Sequence, residues 1–284
     1  MREISQTFLR LKERNEGALI AYVTAGDPEL SLTLNIVEAL VSGGADIIEL
    51  GIPFSDPIAD GPTIQAATLR ALRSSTTPKE VLQLAGEIKT KLDVPLVILT
   101  YYNPIFKMGL KNFFETASSC GVSGVIVPDL PVEEASEYKK TAEAYEIDTI
   151  FLASPSTSNE RLRKILKFTS GFLYLVSLFG VTGTREKIQN LTIRTVRRTA
   201  QMTSAEGVPL AVGFGISKPE HVRVLMENGA DAAIVGSGFV KIIEKRYRDL
   251  EGMLNEIRMY ASKLKEATLN KPSSLKEKID KNFS

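Results

Sequence analysis

Residues 47–62 read Ile47-Ile48-Glu49-Leu50-Gly51-Ile52-Pro53-Phe54-Ser55-Asp56-Pro57-Ile58-Ala59-Asp60-Gly61-Pro62, and the fold follows from how this run changes character. It opens as an apolar strand and becomes, after Gly51, a loop shaped by prolines that fix φ and glycines that free it. A carboxylate at a strand's end, with more acids on the loop beyond, points into the crevice above a parallel sheet, where α/β proteins place their chemistry. Glu49 has apolar strand neighbours, and the stretch holds no basic residue to neutralise it; Asp and Glu are seldom buried unpaired. Glu49 and Asp60 therefore read as a working pair. A second reading of Asp60 stays open, because Asp followed by Pro near the first helical turn is also an ordinary helix start.

Outward from this stretch, apolar runs of strand length alternate with longer segments of helical spacing. The runs are Ala18 to Val23, Asp46 to Leu50, Pro95 to Thr100, Gly124 to Val127, Thr149 to Ala153, Phe172 to Ser177, Pro209 to Val212 and Ala232 to Val235. Near-continuous apolar strands imply a parallel sheet covered by helices, and eight such units imply closure. The expected class is α/β, a (β/α)8 barrel, with two packed domains as the runner-up. Ile4, Phe8 and Leu11 at helical spacing add an N-terminal helix over residues 1–14 that plugs one end. One domain is expected over 1–265 and a polar, solvated tail over 266–284.

The chain has 284 residues, with 35 basic and 34 acidic side chains, so composition offers no electrostatic case for nucleic acid or an anionic membrane. Any anionic ligand must be held locally. One cysteine, Cys120, allows no internal disulfide, and with one histidine, His221, it makes a Cys/His metal site implausible. No apolar run approaches the roughly 20 residues that span a bilayer, and no secretory start is present. A cytoplasmic protein without a metal is expected.

Three glycine clusters follow the last three strands: Gly180-Val181-Thr182-Gly183-Thr184, Gly213-Phe214-Gly215-Ile216-Ser217 and Gly236-Ser237-Gly238. Glycine lets backbone approach a ligand, and N–H groups opening a helix bind a dianion without a lysine. Loops after strands seven and eight are the usual phosphate cradle of such barrels. The alternative is compact turns that need Gly for their own geometry. The hydroxyls of Ser237 and Thr182 offer further donors, and Thr182 to Arg185 reads as a mobile lid.

Ile48 to Gln65 closely resembles the signature of the tryptophan synthase alpha subunit family. Lys12-Glu13-Arg14 with Glu16-Gly17-Ala18, Thr24-Ala25-Gly26-Asp27-Pro28, Pro131-Val132-Glu133-Glu134, and the three glycine clusters resemble that family in the same order. The resemblance, from about Phe8 to about Lys265, implies a TIM barrel. It further implies a retro-aldol cleavage of indole-3-glycerol phosphate to indole and glyceraldehyde 3-phosphate with neither metal nor organic cofactor. Glu49 and Asp60 match the catalytic carboxylates, Tyr174 a tyrosine lining the site, and Gly183, Gly213, Gly215, Gly236 and Ser237 the phosphate-binding positions. Tyr22, Leu99, Tyr101, Leu152 and Tyr174 stand on or near strand ends where they can wall an indole, with Thr182 on the lid and Phe214 as a cap over the ring.

By resemblance, Asp56, Asn103-Pro104 and Val127-Pro128-Asp129 lie near the docking face of a beta subunit. That subunit carries pyridoxal phosphate and receives indole in an alpha-beta-beta-alpha type complex. Leu178-Phe179 departs from the family, many of whose members have an arginine and a small residue there. Two competing readings are a subunit kept mainly to bind and activate its partner, and a different phosphate-binding barrel enzyme.

Overall fold

The structure, a computed structural model, describes residues 2–176, 185–213 and 215–269, with 185–189 described by backbone alone. The first half of the chain runs α1 (Glu3–Glu13), β1 (Ala18–Thr24), α2 (Leu30–Ser42), β2 (Ile47–Gly51), α3 (Pro62–Arg73), α4 (Pro78–Lys91), β3 (Leu96–Leu99), α5 (Tyr102–Met108), α6 (Leu110–Ser119) and β4 (Gly124–Ile126). The second half runs α7 (Ser136–Ala144), β5 (Asp148–Ile150), β6 (Leu152–Ala153), α8 (Asn159–Phe168), β7 (Leu173–Val176), α9 (Arg185–Ala205), β8 (Leu210–Gly213), α10 (Pro219–Glu227), β9 (Ala232–Val235), α11 (Ser237–Arg246) and α12 (Leu250–Glu266). All pairings are parallel, in the order β5-β4-β3-β2-β1-β9-β8-β7-β6. This is the TIM barrel expected, with its additional N-terminal helix.

The expected fifth strand, Thr149 to Ala153, is in fact two. Asp148–Ile150 pairs with β4, while Leu152–Ala153 pairs with β7, and Phe151 between them gives its carbonyl oxygen to the Tyr174 N–H at 3.0 Å. The last β4–β5 pair is Ile126 with Ile150, and beyond it the chain of β4 runs on into Val127-Pro128. The wall stays parted there. A cavity of about 390 Å³ fills the gap, with Val127 and Pro128 on one side and Phe151, Leu152 and Ala153 on the other.

Because strand side chains alternate, each strand feeds two cores. Leu19, Ala21, Ile48 and Leu50 face the helical layer, whereas Ile20, Ile47, Val97, Ile126 and Phe172 fill the lumen. The same parity turns Glu49 inward. At the lumen's lower end α1 is the plug, since Ile4, Phe8 and Leu11 are buried in the lumen cluster and the rings of Phe8 and Phe172 lie 6.1 Å apart. Arg2 pairs with buried Asp148 at 2.7 Å, and Glu3 with Lys89 at 2.6 Å. Expected strand and helix limits shift by a residue or two, as fraying ends do. Residues 270–284, most of the expected tail, lie outside the described residues.

Candidate active site

β2 delivers Glu49 into the upper lumen, paired in register with Tyr22 of β1 on one side and Val97 of β3 on the other. Its side chain is 1 % exposed and its Oε2 has no hydrogen-bond partner. Loss of water disfavours the ionised form, and the Asp60 charge adds to the effect, so the carboxyl pKa is pushed up to about 8. Glu49 therefore favours its protonated form near neutral pH.

Asp60 arrives from the loop after β2. Its Oδ2 accepts from Tyr101 Oη at 3.1 Å, and the same phenol oxygen accepts from the Ala59 N–H at 3.0 Å. Burial raises the Asp60 pKa and the Tyr101 hydrogen bond counters that rise. The helix-cap reading of Asp60 is overturned: α3 is capped at Gly61, with no side chain accepting its first N–H groups. Pro62 at the first helical position lacks an N–H, which lessens the need for a cap.

Tyr22 and Tyr174 complete the acidic cluster. Burial, and the charges of Glu49 and Asp60, hold both phenols well above their ordinary pKa, so they are neutral. The Tyr22 oxygen lies 3.1 Å from Thr24 Oγ1. Two glycines make room for its ring: a Cβ on Gly51 would meet Tyr22 Cε2 at 2.8 Å, and one on Gly236 would meet Tyr22 Cδ1 at 2.9 Å. Gly213 does the same for Tyr174, whose Cζ would stand 2.7 Å from an added Cβ. Thus the glycines at these strand ends seat aromatic rings. Sequence pattern had supplied only two readings, ligand approach and tight turns.

Ser237 opens α11 with Gly236 as its cap residue, and the first helical bond runs from Val240 N–H to Gly236 O. The N–H groups of Ser237, Gly238 and Phe239 precede that bond, as at any helix start, and suit an anion. Gly215, at φ +74°, lies in the exposed turn between β8 and α10. Leu99 is half-buried, packing against the lumen cluster and against Tyr22, Ala67 and Val240. Leu152 is half-buried on the short β6 and borders the cavity in the barrel wall. Thr182, Gly183, the expected lid over Thr182 to Arg185, Leu178-Phe179 and Phe214 fall outside the described residues or side chains.

Some features escaped the sequence reading. Tyr101 was expected to line an indole pocket; its hydroxyl also brackets the Asp60 loop from 41 residues away. Asn103-Pro104, expected near a docking face, lies in the first turn of α5, whose opening N–H at Tyr102 donates to Asp129 Oδ1 at 2.9 Å. Among the described residues no group of three or more His, Cys, Asp or Glu is placed to hold a metal ion. No helix among them is long and apolar enough to cross a membrane.

The family model described as tryptophan synthase alpha chain matches residues 8–269. The chain belongs to the tryptophan synthase alpha chain family. Members of this family are lyases that cleave indole-3-glycerol phosphate. The family's member from Methanosarcina barkeri is 51% identical over 243 residues, covering 86% of this chain and 90% of that one. The member from Arabidopsis thaliana is 43% identical over 267 residues, covering 94% and 96%. Among solved structures, tryptophan synthase subunit alpha from Legionella pneumophila superposes with a TM-score of 0.84 at 34% identity, covering 94% of this chain and 98% of that one. A chain from the Pyrococcus furiosus tryptophan synthase a2b2 complex gives 0.81 at 44% identity, covering 88% and 98%.

Proposed function

We propose that this chain cleaves indole-3-glycerol phosphate to indole and glyceraldehyde 3-phosphate with Glu49 and Asp60 as its catalytic carboxylates. The observation that carries the assignment is a buried, protonated Glu49 with a free Oε2, beside an Asp60 held by a phenol. Burial raises the pKa of both carboxyl groups, but at Asp60 the Tyr101 hydrogen bond counters the rise while Glu49 Oε2 has no such partner, a difference that suits the two to opposite proton roles.

Glu49 gives its proton to indole C3, which turns the ring into an indoleninium cation. Asp60, ionised, accepts the ring N–H and offsets that charge. Glu49, now a carboxylate, is the base at hand for the side-chain hydroxyl proton. As that proton leaves, the O–H electrons form the aldehyde C=O, the C–C bond breaks, and its pair restores the aromatic ring. Each step falls to a side chain of this chain, so the proposal requires neither metal nor organic cofactor. The phosphate is assigned to the helix start at Gly236–Ser237 with the turns at Gly213 and Gly215, and the indole to the space among Tyr22, Leu99, Tyr101 and Tyr174. Thr182, Gly183 and Phe214 join these sets by resemblance.

The partner we assign is a beta subunit. The Pyrococcus furiosus relative was solved in an a2b2 complex, and here two large apolar side chains stand open to solvent near the acidic loop, Ile58 at 81% and Phe106 at 70% exposure. Exposed apolar groups beside a site are typical of docking faces. A net charge of +1 and a single cysteine suit the cytoplasmic setting that goes with this reading.

The test is indole release from indole-3-glycerol phosphate by the purified chain, alone and with a tryptophan synthase beta subunit. Slow release that rises strongly with the partner is expected. No release in either mixture, with the beta subunit still activated, would make the chain a regulatory scaffold.

A further inference from the structure

The elements that leave three adjacent strands meet at one side chain. Arg70, in α3 after β2, gives its Nε to Asp27 Oδ1 at 2.7 Å and its Nη2 to Asp27 Oδ2 at 2.9 Å, the paired geometry that only a guanidinium offers a carboxylate. Asp27 is in the turn after β1 and its side chain is fully buried. The third nitrogen, Nη1, reaches Glu244 Oε1 at 3.1 Å, in α11 after β9. Since β2, β1 and β9 are neighbours in the sheet, Arg70 ties together, in the outer layer, the segments that leave three adjacent strands.

The two helices joined this way begin at the two ends of the proposed site. α3 starts two residues after Asp60, and α11 starts at Ser237. Arg70 lies eight residues into α3 and Glu244 seven residues beyond Ser237, depths of about 12 and 11 Å at 1.5 Å per residue. A tie at matched depth resists splaying of the two N-termini. Tyr22 fills the space between them from inside, with Gly51 against one side of its ring and Gly236 against the other.

We propose that Arg70 is a positioning residue: by holding Asp27 and Glu244 together it fixes the separation between the Asp60 loop and the anion-binding start of α11. A substrate anchored by its phosphate at Gly236–Ser237 then has its indole nitrogen in register with Asp60. This rests on the site assignment proposed above. Register matters because a misplacement of about 1 Å is enough to cost roughly 100-fold in rate.

Arg70→Lys keeps a cation beside Asp27 but loses the fork, and Glu244→Gln removes only the solvent-side arm. Both are to be measured in the full chain, with thermal unfolding as a control, on indole-3-glycerol phosphate and on indole-3-glycerol, which has no phosphate to register against. For Arg70→Lys, kcat on the phosphorylated substrate should fall by about 10-fold while kcat/KM on the phosphate-free one stays within about twofold. The affinity for inorganic phosphate should stay within about twofold. Glu244→Gln should show the same selectivity at a smaller loss, and it decides the matter if Arg70→Lys fails to fold. Equal losses on both substrates, or a lowered melting temperature with unchanged kinetics, would reduce Arg70 to a structural role. A wild-type chain that cleaves both substrates equally well overturns the phosphate cradle, and the register role with it.

Discussion

The phenol of Tyr101 stands 3.1 Å from Asp60 Oδ2 and 3.0 Å from the Ala59 backbone nitrogen, donating to the first and accepting from the second. One hydroxyl thus sets both the aim of a carboxylate and the path of the chain that carries it. Removing it in Tyr101→Phe takes away the hydrogen bond that counters the rise of the Asp60 pKa. The acid limb of the kcat/KM profile should move to higher pH, with a loss of about 10-fold near neutrality, in line with one hydrogen bond to a charged group. A profile that falls in height without shifting would count against Tyr101 acting through the ionisation of Asp60.

Glu49→Gln keeps the shape and removes the proton. Turnover should drop by about 100-fold or more, the scale of general acid catalysis. Near wild-type turnover would end the assignment.

Stability should move the other way. The folded-state pKa of Glu49 is about 8 against an ordinary 4.5, so between those values the folded chain binds more protons than the unfolded one. Stability therefore falls as pH rises through that window, and the loss is complete above it. Glu49→Gln has no such slope. It should exceed the wild type by an amount on the order of a few kcal/mol at about pH 9, and differ little at about pH 4. Urea unfolding at both values tests this, and parallel stability curves for the two proteins would contradict it.

Gly236→Val places its side chain where the Tyr22 ring lies, the Cβ alone meeting Cδ1 at 2.9 Å. Because Gly236 also caps the helix assigned to the phosphate, KM for the phosphorylated substrate should rise by about 10-fold or more. An unchanged KM would move the cradle elsewhere.

Ile58→Asp changes a side chain that is 81% exposed. Folding and unassisted turnover should be unaffected, while affinity for a beta subunit falls by about 10-fold or more, the scale at which a central apolar contact counts. Titration calorimetry with the beta subunit measures this, and unaltered affinity would place the docking face away from the acidic loop.

What was legible in the sequence follows from range. Strand runs such as Ala18 to Val23 and Ala232 to Val235 declare themselves because both faces of a barrel strand are apolar, and Glu49 stands out by being the exception. Asp60 was ambiguous because a helix cap and a catalytic acid ask for the same residue before the same proline. The split at Phe151 was hidden, since it lies in which neighbours Asp148–Ile150 and Leu152–Ala153 pair with, not in the run itself. Arg70 and Asp27 are 43 residues apart, and no local pattern links them. The glycines at 51, 213 and 236 were conspicuous, but the rings they accommodate belong to other strands.

The break at Phe151 says something about how the barrel is assembled. On one side of it the chain has made five strands, β1 to β5, joined without interruption; on the other it makes four, β6 to β9. Among the described residues the two ribbons share a ladder where Ala18 to Ala21 lie against Ala232 to Val235, and at the other join isolated bonds link them, from Ser170 N–H to Thr149 O and from Tyr174 N–H to Phe151 O. The molecule is a cylinder with one welded seam and one unfinished one. The unfinished seam is the natural place to nick the chain and ask whether two separately made halves find each other.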